Sequence, residues 1–175
     1  MIHLYFGEGK GKTSAAVGLC VRALGQNIPV LFVQFLKSRE SGEILMLEKW
    51  GATIIRGKGS KKFTKDMTDA ELLEAKKKCA EHFEKAKELC KLAKKSENSS
   101  LVVVFDEICV ALSANLLSEN DVRDFLLSTP KNIEIVLTGR SAPPFLHDFS
   151  DYDTEFKKRK HPFDKGCVAR KGIEF

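Results

Sequence analysis

Residues Phe6 to Ser14 read FGEGKGKTS, three glycines at alternate positions with two lysines and two hydroxyl residues. Such a run can bind polyphosphate. Gly7, Gly9 and Gly11 can take positive φ and bring bare backbone N–H groups against a ligand. Lys12 supplies a point charge for the terminal phosphates, Thr13 a hydroxyl for Mg²⁺, and Lys10 a second cation. The ligand implied is a nucleoside triphosphate with magnesium. The spacing departs from GxxxxGK[ST], because counting back five residues from Gly11 reaches Phe6 and the nearest glycine is Gly7. The alternative is a ligand-free glycine-rich turn; the GKTS ending between an apolar run and a helical pattern favours the phosphate site.

Two further places carry chemistry. The run Leu101 to Phe105, LVVVF, ends in Asp106-Glu107. Carboxylates at the C-terminal end of a buried parallel strand stand beside the phosphate loop of a doubly wound sheet, where they hold Mg²⁺ directly or through water. The competing reading is a strand-end acid that caps a helix. Arg140 follows a second apolar run, Ile133 to Thr138, and on the same sheet edge its guanidinium would neutralise polyphosphate charge. Its alternative is a structural pair with Asp148, Asp151 or Asp153.

These residues need strands and helices to position them, and the pattern supplies both. Ile2 to Phe6 reads as a strand, Lys12 to Leu24 as the helix after the loop, and Val30 to Phe35 as a strand opened by Gly25 and Pro29. Ser41 to Trp50 reads as an amphipathic helix with Ile44, Leu47 and Trp50 at three-residue steps and Met46 joining Trp50. Ala52 to Arg56 is a short strand. Asp69 to Lys95 is the longest helix, with Leu72, Cys79, Ala86 and Ala93 on one seven-residue spacing and Phe83 and Cys90 on another, ended by Asn98-Ser99-Ser100. Ser118 to Leu127 gives another helix, with Ser118 and Asp121 as N-terminal caps. The expected fold class is α/β, a mostly parallel twisted sheet with helices on both faces, as one domain over residues 1–175.

Composition narrows the classes further. At 175 residues with 43% hydrophobic and 30% charged residues the chain is an ordinary globular one, and no run reaches the ~18 apolar residues of a membrane span. Met1 runs straight into the first strand, so no signal or transit peptide is expected and the reading is cytoplasmic, without membrane partners. The five cysteines share no CxxC spacing and read as reduced core residues. The four histidines form no metal-ligand pattern. A net charge of +5 owes much to Arg56, Lys58, Lys61, Lys62 and Lys65 around a Gly-Lys-Gly-Ser loop, which has little aromatic interleaving and argues against nucleic acid.

Several segments together resemble one family. GEGKGKTSAA at the loop, VQFLK at Val33 to Lys37, VVVFDEI at Val102 to Ile108, VLTGR at Val136 to Arg140 and the C-terminal KHPFDKGCVARKGIEF are similar, nearly end to end, to the ATP:corrinoid adenosyltransferases of the P-loop type. The compressed glycine spacing matches that family's own loop. The resemblance implies a RecA-like P-loop fold. It also implies a reaction in which Co(I) of cobalamin or cob(I)yrinic acid a,c-diamide attacks C5′ of ATP and expels intact triphosphate. By carry-over, Gly7, Glu8, Gly9, Lys10, Gly11, Lys12, Thr13 and Ser14 hold the triphosphate, with ATP reversed relative to most P-loop proteins. Thr13 and Glu107 match the magnesium positions. Lys37 and Arg140 match basic positions near nucleotide, and Lys12, Glu107 and Arg140 are the catalytic candidates. Phe63 matches one member of an aromatic pair over the corrinoid's lower face, with Lys65 where the second aromatic stands; the alternative for Phe63 is a core residue beneath the basic loop. A homodimer, in which the other subunit helps to cover the corrinoid, and an electron-donating flavoprotein are the implied partners.

Two other classes stay open. A P-loop NTPase or small-molecule kinase would use Glu107 to orient water or an acceptor hydroxyl and release ADP. A nucleotide-dependent regulatory or corrinoid-carrier protein would bind ATP without turnover. Their products distinguish all three.

Overall fold

The computed structural model describes residues 1–37, 41–57, 66–93 and 100–174, and the side chains as far as Lys91 and Leu92 in the helix that ends at Ala93. Six strands form one sheet: β1 (Ile2–Phe6), β2 (Val30–Gln34), β3 (Thr53–Arg56), β4 (Leu101–Asp106), β5 (Ile133–Thr138) and β6 (Tyr152–Glu155). Their order is β3-β2-β4-β5-β1-β6 and every pairing is parallel. Parallel strands need crossover connections, which places helices over both faces. The expected α/β class is what the chain adopts.

The two faces are filled by different residues of the same strands, as the period of two requires. On one face Val30, Phe32, Val102, Val104 and Val136 pack with Ala16, Cys20 and Ala23 of helix α1 (Lys12–Leu24) and with Ile44 and Leu47 of helix α2 (Gly42–Lys49). On the other, Leu31, Val33, Val103, Phe105, Ile135 and Leu137 meet helix α3 (Asp69–Ala93) through Cys79, Phe83, Ala86 and Cys90. That face also receives helices α4 (Ile108–Ser113), α5 (Glu119–Ser128) and α6 (Pro144–Phe149). Phe35, Phe83, Phe105 and Phe125 form an aromatic cluster there, with successive centroids 5.5 to 6.0 Å apart, the range in which ring pairs add to plain area burial.

Several expectations need correction. In α2 only Ile44 and Leu47 are buried, whereas Met46 and Trp50 are exposed. A three-residue step falls about 60° short of a full turn, so by Trp50 the stripe has rotated off the core. The sequence pattern passes over α4 and α6, the first because ICVALS is apolar without a period, the second because it is only six residues long. It also passes over β6, whose Tyr-Asp-Thr-Glu is exposed throughout and carries no apolar alternation. Ser118 does cap α5, accepting the Asp121 backbone N–H at 3.3 Å, whereas Asp121 is not a cap but lies within the helix's first turn. Residues 94–99 and 58–65, the latter including Phe63, lie outside the described residues.

The register brings function to one edge. Gln34 lies opposite Asp106, Phe105 opposite Leu137, and Thr138 opposite Tyr5, so the C-terminal ends of β2, β4, β5 and β1 finish in a row. In open parallel sheets this edge is where ligands bind.

Candidate functional site

The glycine-rich loop leaves β1 and enters α1. Gly11 is the N-cap residue of α1, with φ of 121° and no side chain to satisfy the first helical N–H groups. A thirteen-residue helix therefore presents uncapped donors and the positive end of its dipole to the cleft above. Gly9 is required for a different reason. A Cβ there would stand 2.6 Å from the Phe156 carbonyl oxygen and 2.7 Å from its carbon, because the chain beyond β6 runs directly against the loop. Gly9 N–H donates to that oxygen at 2.6 Å and Gly7 N–H donates to the Arg140 carbonyl at 2.8 Å. The edge strand and the end of β5 thus brace the loop.

Lys12 folds over this loop, its Nζ donating to the Gly7 and Gly9 carbonyls at 2.6 and 2.7 Å. Partial burial, with the positive charges of Arg140 and Lys37, holds its pKa below the ordinary lysine value. Its ammonium is thus short of negative partners, which a polyphosphate would provide.

Asp106 is the electrostatic centre of the site. It is 0% exposed and accepts four hydrogen bonds: Thr13 Oγ1 at 2.8 Å and Thr138 Oγ1 at 2.9 Å on Oδ1, Gln34 Nε2 at 3.1 Å and Lys37 Nζ at 2.9 Å on Oδ2. Burial alone would raise its pKa, but the Lys37 charge and the donated hydrogen bonds outweigh it and hold the carboxyl below its usual range. Lys37 shows the complement: burial would lower it, and Asp106 and Glu107 together raise it. Glu107 has a left-handed backbone, φ of 67°, and its N–H donates to Thr138 Oγ1 at 2.9 Å. Its carboxylate lies 3.5 Å from Lys37 Nζ.

Lys12, Thr13, Lys37 and Glu107 line a cleft of about 600 Å³, which also reaches Glu8, Lys10, Ser14 and Arg140, while Asp106 itself is buried behind them. Arg140 pairs with Glu8 at 3.3 Å on the rim. Two of the three acids considered as its structural partners are engaged elsewhere: Asp151 accepts the Ile2 N–H at 2.7 Å and Asp153 meets His147 at 2.8 Å. The described site thus gathers Gly7 through Ser14, Lys37, Glu107 and Arg140; Phe63 lies outside the described residues. Sequence reasoning missed Gln34 and Thr138, two strand-end residues that hold Asp106. It also gave no chemistry to the C-terminal wall, where Glu174 pairs with Lys10 at 3.0 Å and Gly172 and Ile173 line the cleft. The signal for Asp106 was its place as the last residue of the strand, directly before Glu107.

Magnesium fits the donors. It takes one or two protein oxygens beside phosphate oxygens, and here the Thr13 hydroxyl and the Glu107 carboxylate both line the cleft at the helix N-terminus, with buried Asp106 accepting the Thr13 hydroxyl hydrogen. Among the described residues there is no cluster of three or more His, Cys, Asp or Glu side chains that would hold a metal by itself. No described helix is long and apolar enough to cross a membrane.

Comparison with known proteins agrees with this arrangement. The family model described as ATP:corrinoid adenosyltransferase BtuR/CobO/CobP matches residues 1–175. A corrinoid adenosyltransferase of Sinorhizobium sp. is 34% identical over 97% of this chain and 77% of its own length. One from Pseudomonas aeruginosa is 32% identical over 98% and 82%, and one from Escherichia coli K12 is 30% identical over 100% and 85%. With a nucleotide-type cleft at the sheet edge and this likeness along the full length, the chain belongs to the ATP:corrinoid adenosyltransferase family.

Proposed function

We propose that the cleft binds Mg-ATP with its triphosphate along Gly7 to Ser14, and that Co(I) of a reduced corrinoid attacks C5′ and displaces intact triphosphate. The supporting observation is the uncapped α1 N-terminus ringed by Lys12, Lys37 and Arg140, an anion site with three cations and no side-chain cap. In this displacement a carbon–cobalt bond forms, the C5′–oxygen bond breaks, and the electron pair leaves with the triphosphate. No water is activated. The protein's task is to stabilise charge on the leaving group, which fixed cations and helix N–H groups do without proton transfer.

Each residue has a part in that task. Lys12 exchanges the Gly7 and Gly9 carbonyls for phosphate oxygens. Arg140, exposed on the rim, leaves Glu8 for the polyphosphate. Thr13 and Glu107 would hold the magnesium ion, with Asp106 orienting the Thr13 hydroxyl through the hydrogen bond that it accepts. The ion, when bound, supplies charge neutralisation between phosphate oxygens. The family resemblance assigns Phe63, which lies outside the described residues, to the corrinoid. A second subunit covers the site, an assignment supported by the exposed apolar side chains of Phe163, Val168 and Ile173 on the C-terminal segment. A flavoprotein supplies the electron that makes Co(I). Cobalamin and cob(I)yrinic acid a,c-diamide are the proposed acceptors, and the cytoplasm is the proposed location.

The test is anoxic incubation with Mg-ATP and chemically reduced cobalamin, followed by identification of both products. An adenosylated corrinoid with triphosphate is expected. ADP and phosphate with no carbon–cobalt product would replace this reading with an NTPase or kinase.

A further inference from the structure

Three oxygens from two parts of the chain converge on one ammonium. Lys37 Nζ stands 2.9 Å from Asp106 Oδ2, 3.1 Å from Thr13 Oγ1 and 3.5 Å from Glu107 Oε1. Asp106 closes β4, Glu107 directly follows it and Thr13 lies in the first turn of α1, whereas the lysine arrives separately, on the segment that follows β2. Two of the three, the Thr13 hydroxyl and the Glu107 carboxylate, line the cleft and are hard oxygens suited to a small divalent cation, while Asp106 is buried and anchors the lysine. Here one tethered monovalent charge holds all three. The lysine is not enclosed: its side chain is 36% exposed, so it has room to leave without unfolding its surroundings, while Asp106 is fixed by three further hydrogen bonds.

We propose that Lys37 is a built-in counter-ion, anchored on buried Asp106, that competes with the divalent cation for Thr13 and Glu107, so that metal enters only together with the triphosphate. This rests on the Mg-ATP assignment above and adds an order to it. Triphosphate oxygens draw the Lys37 ammonium off the carboxylates, and the same oxygens complete the metal's coordination. The ammonium passes from one set of anionic partners to another. Two consequences follow from Coulomb's law in a partly desolvated cleft: metal alone is repelled by Lys37, and Asp106 is not left buried without a cation. Lys37 acts as a positioning residue for the metal, besides any contact it makes with phosphate.

The experiment uses Mn²⁺ as the probe, followed by its electron paramagnetic resonance signal, first with no nucleotide present. The unaltered chain is expected to bind Mn²⁺ weakly. Lys37→Met and Lys37→Gln are expected to bind it at least about tenfold more tightly, since each removes the competing charge. Lys37→Gln keeps a donor for Asp106 and guards against a variant that fails to fold. The melting temperature of each neutral variant is expected to rise with Mn²⁺ concentration, as mass action requires, and that of the unaltered chain to stay level. Equal Mn²⁺ affinity in all three proteins overturns the proposal. Mg-ATP binding by the unaltered chain is measured separately. Its failure would remove the nucleotide assignment while leaving the Mn²⁺ comparison able to support or overturn the counter-ion.

Discussion

Replacing Asp106 tests the site at its centre. The carboxylate accepts four hydrogen bonds and is fully buried, so Asp106→Ala would strand the Thr13, Thr138 and Gln34 donors and leave Lys37 one carboxylate fewer. All four bonds end on an ionised carboxylate, so at about 1.5 kcal/mol each, the low end for bonds to a charged group, the gross loss is about 6 kcal/mol. Relief from burying a charge and the escape of Lys37 to solvent offset part of it, leaving about 3–4 kcal/mol. Asp106→Asn should cost less. Its oxygen can keep both threonine bonds, and Gln34, whose Oε1 has no partner among the described residues, can turn its amide to accept from the new N–H group. Only the Lys37 bond is then lost, about 1–2 kcal/mol. Urea unfolding reads both variants as shifts of midpoint at constant slope. The pH dependence has a definite sign. Asp106 titrates below its unfolded value, so its contribution is present above about pH 4 and lost as pH falls through the lower folded pKa. Lys37 titrates above its unfolded value, so its contribution is complete below about pH 10.4 and lost as pH rises through the higher folded pKa. The difference between wild type and Asp106→Asn should therefore be flat from about pH 5 to about pH 9 and shrink in acid. A cost of ~1 kcal/mol or less for Asp106→Ala would refute the reasoning, since that is what an ordinary surface change gives.

Other consequences are independent of this one. Gly9→Ala drives a methyl group into the Phe156 carbonyl and should cost about 1–3 kcal/mol, a fall of several degrees in Tm; a Tm within about 1 °C of wild type would show that β6 does not brace the loop. Burial pushes the thiols of Cys20, Cys79 and Cys109 up to about 12, and Cys90 is buried as well. Iodoacetamide should therefore add one label to the native chain, at Cys167, and five in urea, and a second fast adduct in the native protein would contradict the packing. Glu107→Gln keeps size and removes charge, and should lower kcat at least about tenfold while changing unfolding free energy by less than about 1 kcal/mol. Equal losses of stability and turnover would make Glu107 structural.

How much of this was legible in the sequence depended on burial. LVVVF and IEIVLT are buried nearly throughout, so their apolar runs announced β4 and β5, and the loop ending in Gly11-Lys12-Thr13 marked the start of α1. β6 could not be read because its strand character comes from pairing with β1 and not from its own side chains. The choice between Asp106 and Glu107 was likewise hidden. Both are strand-end acids, and only the register that sets Gln34 beside Asp106, with Thr138 one strand over, decides which is buried and which faces the cleft. The C-terminal wall was visible as a motif without a role, because the Glu174 to Lys10 contact joins residues 164 apart in the chain.

The central claim is that bond breaking occurs at C5′ and leaves the phosphate chain intact. The most direct test replaces ATP by its β,γ-imido analogue, which resists cleavage at the γ-phosphate, and follows adenosylation of chemically reduced cobalamin under anoxic conditions. The account predicts an adenosylated corrinoid together with unbroken imidotriphosphate. Turnover with ATP that yields ADP, and none with the analogue, would contradict it.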